Sequence, residues 1–215
     1  AEEKGHCEYF GRTKYADGIL PIDTYKKEVD EISNQELEHD WEGLRASINE
    51  FGLRHSTLSA QMPSESSSVV SNATNGIEPP RGYLSVKKSK KGNLKQIVPQ
   101  YNTLKNNYTL LWDMPGNEGY IKIVAVMQKF FDQAISGNWT YNPLHYPNRE
   151  VPMSLITSDM LTTYKYGWKT SYYHNTYDHK SDQGDDELEE MKSELESLIA
   201  QLENNEEDDC ESCKI

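Results

Sequence analysis

Two cysteines lie close together at the end of the chain, in the sequence DDCESCKI. Cys210 and Cys213 are two of the three cysteines in 215 residues. In a reducing compartment, such a pair is more often catalytic or metal-binding than structural. Zinc normally takes four ligands, and His174 and His179 lie far back in the sequence, so we assign no metal site. Acidic neighbours raise thiol pKa values, which disfavours a resting nucleophile but not a dithiol that reacts elsewhere.

A second stretch, SYYHNT, places Tyr172 and Tyr173 side by side. Packing within a strand is the ordinary role of such a pair. The chemical alternative is one-electron oxidation, because a phenol with a pKa of about 10 is protonated at neutral pH and can lose an electron together with its proton. Neighbouring rings would allow that oxidation to move in short hops, with Trp168, His174 and Tyr177 nearby in the sequence.

A third stretch, MPSESSS, combines a proline with hydroxyl and carboxylate side chains. It contains Pro63, Ser64, Glu65, Ser66 and Ser67. At the start of a helix, unpaired backbone N–H groups and the positive end of the helix dipole favour a phosphate group. Serine-rich turns more often simply cap the helix that follows, so these residues alone leave both interpretations open.

Apolar spacing and turn signals predict the elements that must position these residues. The predicted strand over 168–176 carries the tyrosines, and the serine-rich turn follows the predicted strand over 56–62. We predict helices over 24–51, 101–113, 118–136 and 154–166, a short helix before Gly76, strands over 56–62 and 168–176, and a hairpin of 83–86 with 94–98. This is an α/β pattern with about two barrel-like strands, too few to close a barrel alone.

The net charge of −13 belongs almost entirely to the end of the chain. Residues 181–215 contain fourteen Asp and Glu against Lys192 and Lys214, so we divide the chain into a body over 1–180 and an acidic tail over 181–215. The body has no broad basic surface, which argues against direct nucleic-acid binding. No apolar run approaches the roughly 18 residues of a membrane span, and the N-terminus lacks a signal-peptide pattern. We therefore expect a cytoplasmic protein without a membrane partner.

The tail carries a heptad-like apolar pattern. The residues at spacings of three and four are Leu188, Met191, Leu195, Leu198 and Leu202. About two heptads of amphipathic helix fit this pattern, which is marginal for an isolated helix. A solvated acidic helix and a docking helix for a partner or a second copy are both compatible with it.

Several blocks of the sequence resemble one family in consecutive order. These blocks are ILPIDTYKKEVD, FGLRHSTLSAQMPSESSS, SNATNGIEPPRGY, KTSYYHNT and the terminal CESCKI. They are similar to the C-terminal third of the large (alpha) subunit of class I ribonucleotide reductase. The resemblance is dense over about 8–180, lapses through the acidic segment and resumes at Cys210.

The resemblance implies a fold and a set of roles. In that family, a ten-stranded α/β barrel holds a ribonucleoside diphosphate, and the turn from Pro63 to Ser67 grips its phosphates. Tyr173 and then Tyr172 pass a radical from the small (beta) subunit to a cysteine, whose thiyl abstracts the ribose 3′ hydrogen. Cys210 and Cys213 re-reduce the disulfide that forms in the barrel, and thioredoxin or glutaredoxin then reduces the tail by thiol exchange. The di-metal tyrosyl radical cofactor belongs to the small subunit, and we expect no cofactor on this chain.

The thiyl cysteine and the two reducing cysteines of the family have no counterpart in this sequence, because Cys7 does not lie in a matching motif. We therefore predict one piece of a split large subunit, active only with a chain that carries the N-terminal portion and with the small subunit. The alternative is a non-catalytic fragment that binds a partner through its acidic helix. A free-standing thiol oxidoreductase is a third possibility, but it lacks the expected βαβ context around its CxxC.

Overall fold

The structure is a computed structural model that describes residues 1–71, 73–74, 76–89 and 92–178, together with residues 197 and 200. The α-helices of this part are α1 (Pro21–Thr24), α2 (Trp41–Phe51), α3 (Glu65–Val70), α4 (Tyr101–Leu104), α5 (Glu118–Gln128) and α6 (Met153–Tyr166), and the strands are β1 (Leu84–Ser89), β2 (Gly92–Ile97), β3 (Gly137–Tyr141) and β4 (Ser171–Thr176). Short 3-10 helices cover Phe10–Arg12, Lys14–Asp17, Lys27–Glu31, Lys105–Asn107, Leu111–Asp113, Pro143–His145 and Pro147–Arg149. None of the helices in these ranges combines the length and apolar character needed to cross a bilayer.

A β-α-β unit forms the centre of the described chain. Strands β3 and β4 pair in parallel, and α6 lies in the crossover between them, as parallel pairing requires. Helix α6 follows Pro152 and ends at Gly167, whose φ of 77° is left-handed. Helix α5 packs against α6 and contributes Ile121 and Val124, which are fully buried. The core therefore lies between these two helices and the parallel pair.

A buried polar network fixes β3 against both helices. The side chain of Asn117, just before α5, donates to Asp159 of α6 at 2.9 Å and accepts the backbone N–H of Thr140 at 2.9 Å. The hydroxyl of Tyr141 also donates to Asp159, at 3.0 Å. Buried polar groups cost stability unless they are paired, so these bonds specify one position for β3.

The predicted hairpin is confirmed. Strands β1 and β2 are antiparallel, with Leu84 opposite Ile97 and Ser89 opposite Gly92. The predicted helix over 154–166 and the strand over 168–176 are also present as α6 and β4, although β4 begins only at Ser171. Each of these elements carries strong local signals at its ends.

The predicted helix over 24–51 is wrong in its first half. The structure has α1, a 3-10 helix and then a break before α2. Asp40 caps α2 by accepting the N–H of Gly43 at 2.8 Å, so α2 is a separate helix with its own start. The stretch SNQELEHD over 33–40 carries a single apolar residue and no apolar face to bury, which explains why the helix does not continue upstream.

The predicted helix over 101–113 is also wrong, because tertiary bonds replace the helical ones. Helix α4 lasts four residues, and two short 3-10 helices follow. The N–H of Leu111 donates to the carbonyl of Pro80 at 2.8 Å, and the hydroxyl of Tyr108 donates to the carbonyl of Pro99 at 2.8 Å. Leu111 is 2 % exposed, so burial of this side chain determines the local path.

The predicted helix over 118–136 ends early, at Gln128. The side chain of Gln128 donates to the carbonyls of Phe131 and Gln133 and accepts the N–H of Ile135, so it holds the turn that leads into β3. Strand β3 was not predicted. The predicted strand over 56–62 is reduced to one parallel bridge between Gln61 and Ile135, so this segment runs beside β3 in the same direction.

Candidate functional site

The two adjacent tyrosines of β4 lie on one face of the strand. Their ring centroids are 4.1 Å apart with an interplanar angle of 51°, and the hydroxyl of Tyr173 donates to that of Tyr172 at 3.4 Å. Tyr172 is 54 % exposed and Tyr173 is 57 % exposed. Hydrogen bonding with Tyr173 raises the pKa of Tyr172. The two phenols are therefore in contact through both their rings and their oxygen atoms.

Such contact is unusual for neighbours in a strand, because successive side chains normally point to opposite faces. The register explains it. Gly137 is opposite Ser171, and Trp139 is opposite His174, so Asn138 of β3 faces both tyrosines of β4. This two-against-one arrangement is a β-bulge, and it turns the two phenol rings to the same side.

The side chain of Asn138 completes the bulge. Its Oδ1 accepts the backbone N–H of Tyr173 at 2.9 Å. Its Nδ2 donates to Oε1 of Glu78, and its own backbone N–H donates to the same oxygen at 3.2 Å. Burial raises the pKa of Glu78, while the charge of Arg81 and the hydrogen bonds from Asn138 oppose that rise.

The other aromatic residues near the tyrosines in sequence have separate places. Trp168 belongs to the core: its indole N–H donates to the carbonyl of Ile135 at 2.7 Å, and its ring packs edge-on against Tyr120. His174 stacks on Trp139 with ring centroids 4.5 Å apart. Tyr177 packs on Trp112. Among the aromatic contacts in and beside β4 described above, the one between Tyr172 and Tyr173 joins two phenols.

The serine-rich turn leads into α3, as predicted. Ser64 precedes the helix but makes no capping hydrogen bond to it. Its hydroxyl donates instead to the carbonyl of Met62 at 3.4 Å, and that of Ser67 donates to the carbonyl of Ser64 at 3.5 Å. Both bonds are long for O–H···O, so the two hydroxyls are held weakly and can turn toward a ligand.

An open depression of about 490 Å³ lies over this turn, and Met62, Pro63, Ser64, Ser66 and Ser67 line it. Glu65 begins α3. Gly76 lies behind the turn with a φ of 59°, and a Cβ there would lie 3.5 Å from the carbonyl oxygen of Met62. The turn follows Gln61, which pairs with Ile135 just before β3, and β3 pairs with β4. The segment that leads into the turn and the strand that carries the tyrosines therefore lie on opposite sides of the chain that runs from Ile135 into β3.

Cys210, Cys213 and the acidic heptad pattern lie outside the described residues. Cys7 is half-buried with a free thiol, and its backbone N–H donates to the carbonyl of Leu53 at 2.8 Å. Within the described ranges, no three His, Cys, Asp or Glu side chains come together as a metal site.

The comparison with known proteins identifies the family. A family model described as "Ribonucleotide reductase, barrel domain" matches residues 1–174, and the chain therefore belongs to that family. It is 59 % identical over 186 residues to the ribonucleoside-diphosphate reductase subunit alpha of Haemophilus influenzae, a match that covers 86 % of this chain and 25 % of the relative. The Escherichia coli ribonucleoside-diphosphate reductase 1 subunit alpha is also 59 % identical, with 86 % and 24 % covered.

A phage relative matches the whole chain. The ribonucleoside-diphosphate reductase subunit alpha of enterobacteria phage T4 is 44 % identical, and the match covers 100 % of this chain and 27 % of that protein. The chain thus spans about a quarter of the length of these relatives. The family predicted from the sequence is confirmed, and the mixed helices and incomplete sheet agree with part of an α/β barrel.

Proposed function

We propose that this chain acts as part of the large subunit of a ribonucleoside-diphosphate reductase, which converts ribonucleoside diphosphates to deoxyribonucleoside diphosphates. It supplies the phosphate-binding turn, the tyrosine relay and the terminal dithiol to an assembly with the N-terminal portion of the large subunit and a small subunit. The observation that carries the proposal is the bulge that brings Tyr172 and Tyr173 together, with hydroxyls 3.4 Å apart. Packing alone does not require two exposed phenols to share one face of a strand.

The relay moves one electron and one proton at each step. Tyr173 is oxidised first and loses an electron and its phenolic proton toward the small subunit, whose di-metal tyrosyl radical cofactor supplies the oxidising equivalent. Tyr172 then gives an electron and its own hydroxyl proton to the Tyr173 oxygen, which restores Tyr173 and leaves the oxidation on Tyr172. A cysteine thiol from the remaining portion of the large subunit gives a hydrogen atom to the oxidised Tyr172 and becomes a thiyl radical. That thiyl abstracts the 3′ hydrogen of the ribose. The close approach of the two hydroxyls supports the middle step.

The turn at 63–67 is the proposed diphosphate site. The first turn of a helix presents backbone N–H groups that have no partner within the helix, and the serine hydroxyls add further donors. The depression over the turn has about 490 Å³ of space, which is at the lower end of the range for small-molecule sites. The weak bonds of Ser64 and Ser67 leave their hydroxyls available to phosphate oxygens.

Removal of these hydroxyls tests the diphosphate site. We expect Ser64→Ala and Ser67→Ala each to raise the KM for a ribonucleoside diphosphate about tenfold or more, because a hydrogen bond to a charged group contributes roughly 1.5–3 kcal/mol. Steady-state kinetics of the assembled enzyme measure the change. Ser71→Ala is the matched control, since its hydroxyl donates to the carbonyl of Ser67 at 2.9 Å at the far end of α3. An equal rise in KM for Ser71→Ala would mean that the effect is on α3 and not on the ligand.

The assembly itself is tested by co-expression. The chain is produced with the N-terminal portion of a large subunit from a relative and with the matching small subunit, and reduction of a ribonucleoside diphosphate is measured in the purified complex. We expect a tight complex that forms deoxyribonucleotide, with neither large-subunit portion active alone. A chain that forms no complex, or a complex without turnover, contradicts the proposal. A complex that binds but has no turnover supports the alternative of a non-catalytic binding module.

A further inference from the structure

We propose that Glu78 and Asn138 are a positioning pair that locks the β4 bulge and so holds the Tyr172 and Tyr173 hydroxyls in contact. Neither residue was singled out in the sequence, and neither touches a phenol oxygen. The inference rests on the proposed relay for its functional meaning, but its geometric content can be tested without turnover.

The side chain of Asn138 supplies a partner for a backbone N–H in the bulge. A bulge leaves its extra residue without a regular partner in the ladder, and a backbone N–H that lacks a partner costs free energy. At Tyr173, the Oδ1 of Asn138 takes the role of that partner, at 2.9 Å. The bulge is therefore stabilised by one side-chain oxygen, and the common facing of the two rings depends on it.

Glu78 sets the orientation of the Asn138 amide. An asparagine side chain has a donor end and an acceptor end, and only the acceptor end can bind the Tyr173 N–H. Oε1 of Glu78 accepts from both the Nδ2 and the backbone N–H of Asn138. The Glu78 oxygen that receives the backbone N–H of Asn138 acts as an acceptor, so the NH₂ end of the amide faces Glu78 and the amide oxygen faces Tyr173. Glu78 thereby decides which way the amide points.

The neighbours of Asn138 in β3 restrict any shift of its backbone. A Cβ on the preceding Gly137 would lie 2.9 Å from Cζ2 of Trp168, so the backbone is pressed against the core at that point. The following residue, Trp139, is 3 % exposed. Asn138 lies between these two restricted neighbours, so its side chain holds the backbone of β4 in one position.

The rings of Tyr172 and Tyr173 have little other support. Both are more than half exposed in the described part of the chain, so packing does not fix their positions. A displacement of about 1 Å at a reacting centre can cost on the order of 100-fold in rate. Loss of the hydrogen bonds between Glu78, Asn138 and the Tyr173 N–H therefore changes the hydroxyl contact and the relay. The core and the diphosphate turn stay intact.

A donor and acceptor swap tests the pair. Asn138→Asp keeps an acceptor for the Tyr173 N–H but places two carboxylates face to face, and we expect kcat to fall about 100-fold. The double variant Glu78→Gln with Asn138→Asp restores one donor and one acceptor with the roles exchanged, and we expect it to recover at least tenfold of that loss. KM for the diphosphate stays within about twofold in both variants, because the serine turn is untouched.

A second readout uses the full chain without partners. In ¹³Cζ-labelled tyrosine NMR, release of the lock by Glu78→Gln or Asn138→Ala moves the pKa of Tyr172 down toward its ordinary value, since the contact with Tyr173 raises it. Asn142→Ala is the matched control. Its side chain donates to the carbonyl of Trp112 and accepts the N–H of Leu144, just past the end of β3, so it loses comparable bonds without facing the tyrosines.

Two results would overturn the inference. One is a double variant that is no more active than Asn138→Asp alone. The other is a Tyr172 titration that Glu78→Gln and Asn138→Ala leave unchanged. If Tyr172→Phe and Tyr173→Phe leave turnover intact while the titration shifts as expected, the relay fails but the positioning pair stands, so the two failures are distinguishable.

Discussion

Replacement of either relay tyrosine by phenylalanine is expected to abolish nucleotide reduction by the assembled enzyme. Phenylalanine retains the ring that packs in the 4.1 Å contact but has no hydroxyl proton to release and is much harder to oxidise. We expect a loss of at least about 1000-fold in turnover for Tyr172→Phe and for Tyr173→Phe, which corresponds to an increase of roughly 4 kcal/mol in the activation free energy. Product formation from a labelled ribonucleoside diphosphate measures the loss.

Substrate binding provides the internal comparison for this prediction. The dissociation constant of the diphosphate should remain within about twofold, because the serine turn lies on a different segment and makes no use of the phenol oxygens. Tyr9→Phe is a matched control, since Tyr9 is also 54 % exposed but belongs to the N-terminal segment before the first 3-10 helix and not to β4. Normal turnover by either relay variant, or loss of diphosphate binding together with turnover, would contradict the assigned role.

The local signals in the sequence were sufficient for elements with clear ends. Helix α6 is bounded by Pro152 and Gly167, and Gly92 begins the second strand of the β1–β2 hairpin, opposite Ser89. The local signals failed where contacts with residues distant in sequence determine the path of the backbone. Leu111 bonds to Pro80 in place of a helical partner, and the side chain of Gln128 closes a turn that ends α5. A periodic pattern records which residues are apolar but not which distant carbonyl will accept a given N–H.

The candidate site could also be predicted only in part from the sequence. The types and spacing of Tyr172 and Tyr173 are visible in the sequence, whereas an alternating strand would separate their side chains onto opposite faces. Their contact depends on Asn138, 35 residues away, and Asn138 depends on Glu78, a further 60 residues away. Asn138 follows a glycine in a stretch with turn-like residues, so no periodic signal marks it. The sequence signal for Glu78 is that it is the single carboxylate in the stretch NGIEPPRG.

The terminal cysteines give the second large effect. We expect Cys210→Ser and Cys213→Ser each to reduce multiple turnover to background when a thioredoxin or glutaredoxin is the reductant, because exchange needs both thiols of a pair to pass the disulfide on. With a small dithiol such as dithiothreitol, turnover should persist, since a small reductant can reach a barrel disulfide directly.

A single-turnover experiment separates this role from a role in the chemical step. When the assembled enzyme is reduced in advance and the reductant is removed, both serine variants should form the same amount of product as the unaltered enzyme, because the role proposed for the tail begins only after the barrel disulfide has formed. Cys7→Ser is the matched control, since its half-buried thiol lies in the body of the chain and outside the terminal CESC sequence. A serine variant that loses the first turnover would place the dithiol in the reduction of the ribose itself, and one that keeps full turnover with thioredoxin would remove the tail from the electron path.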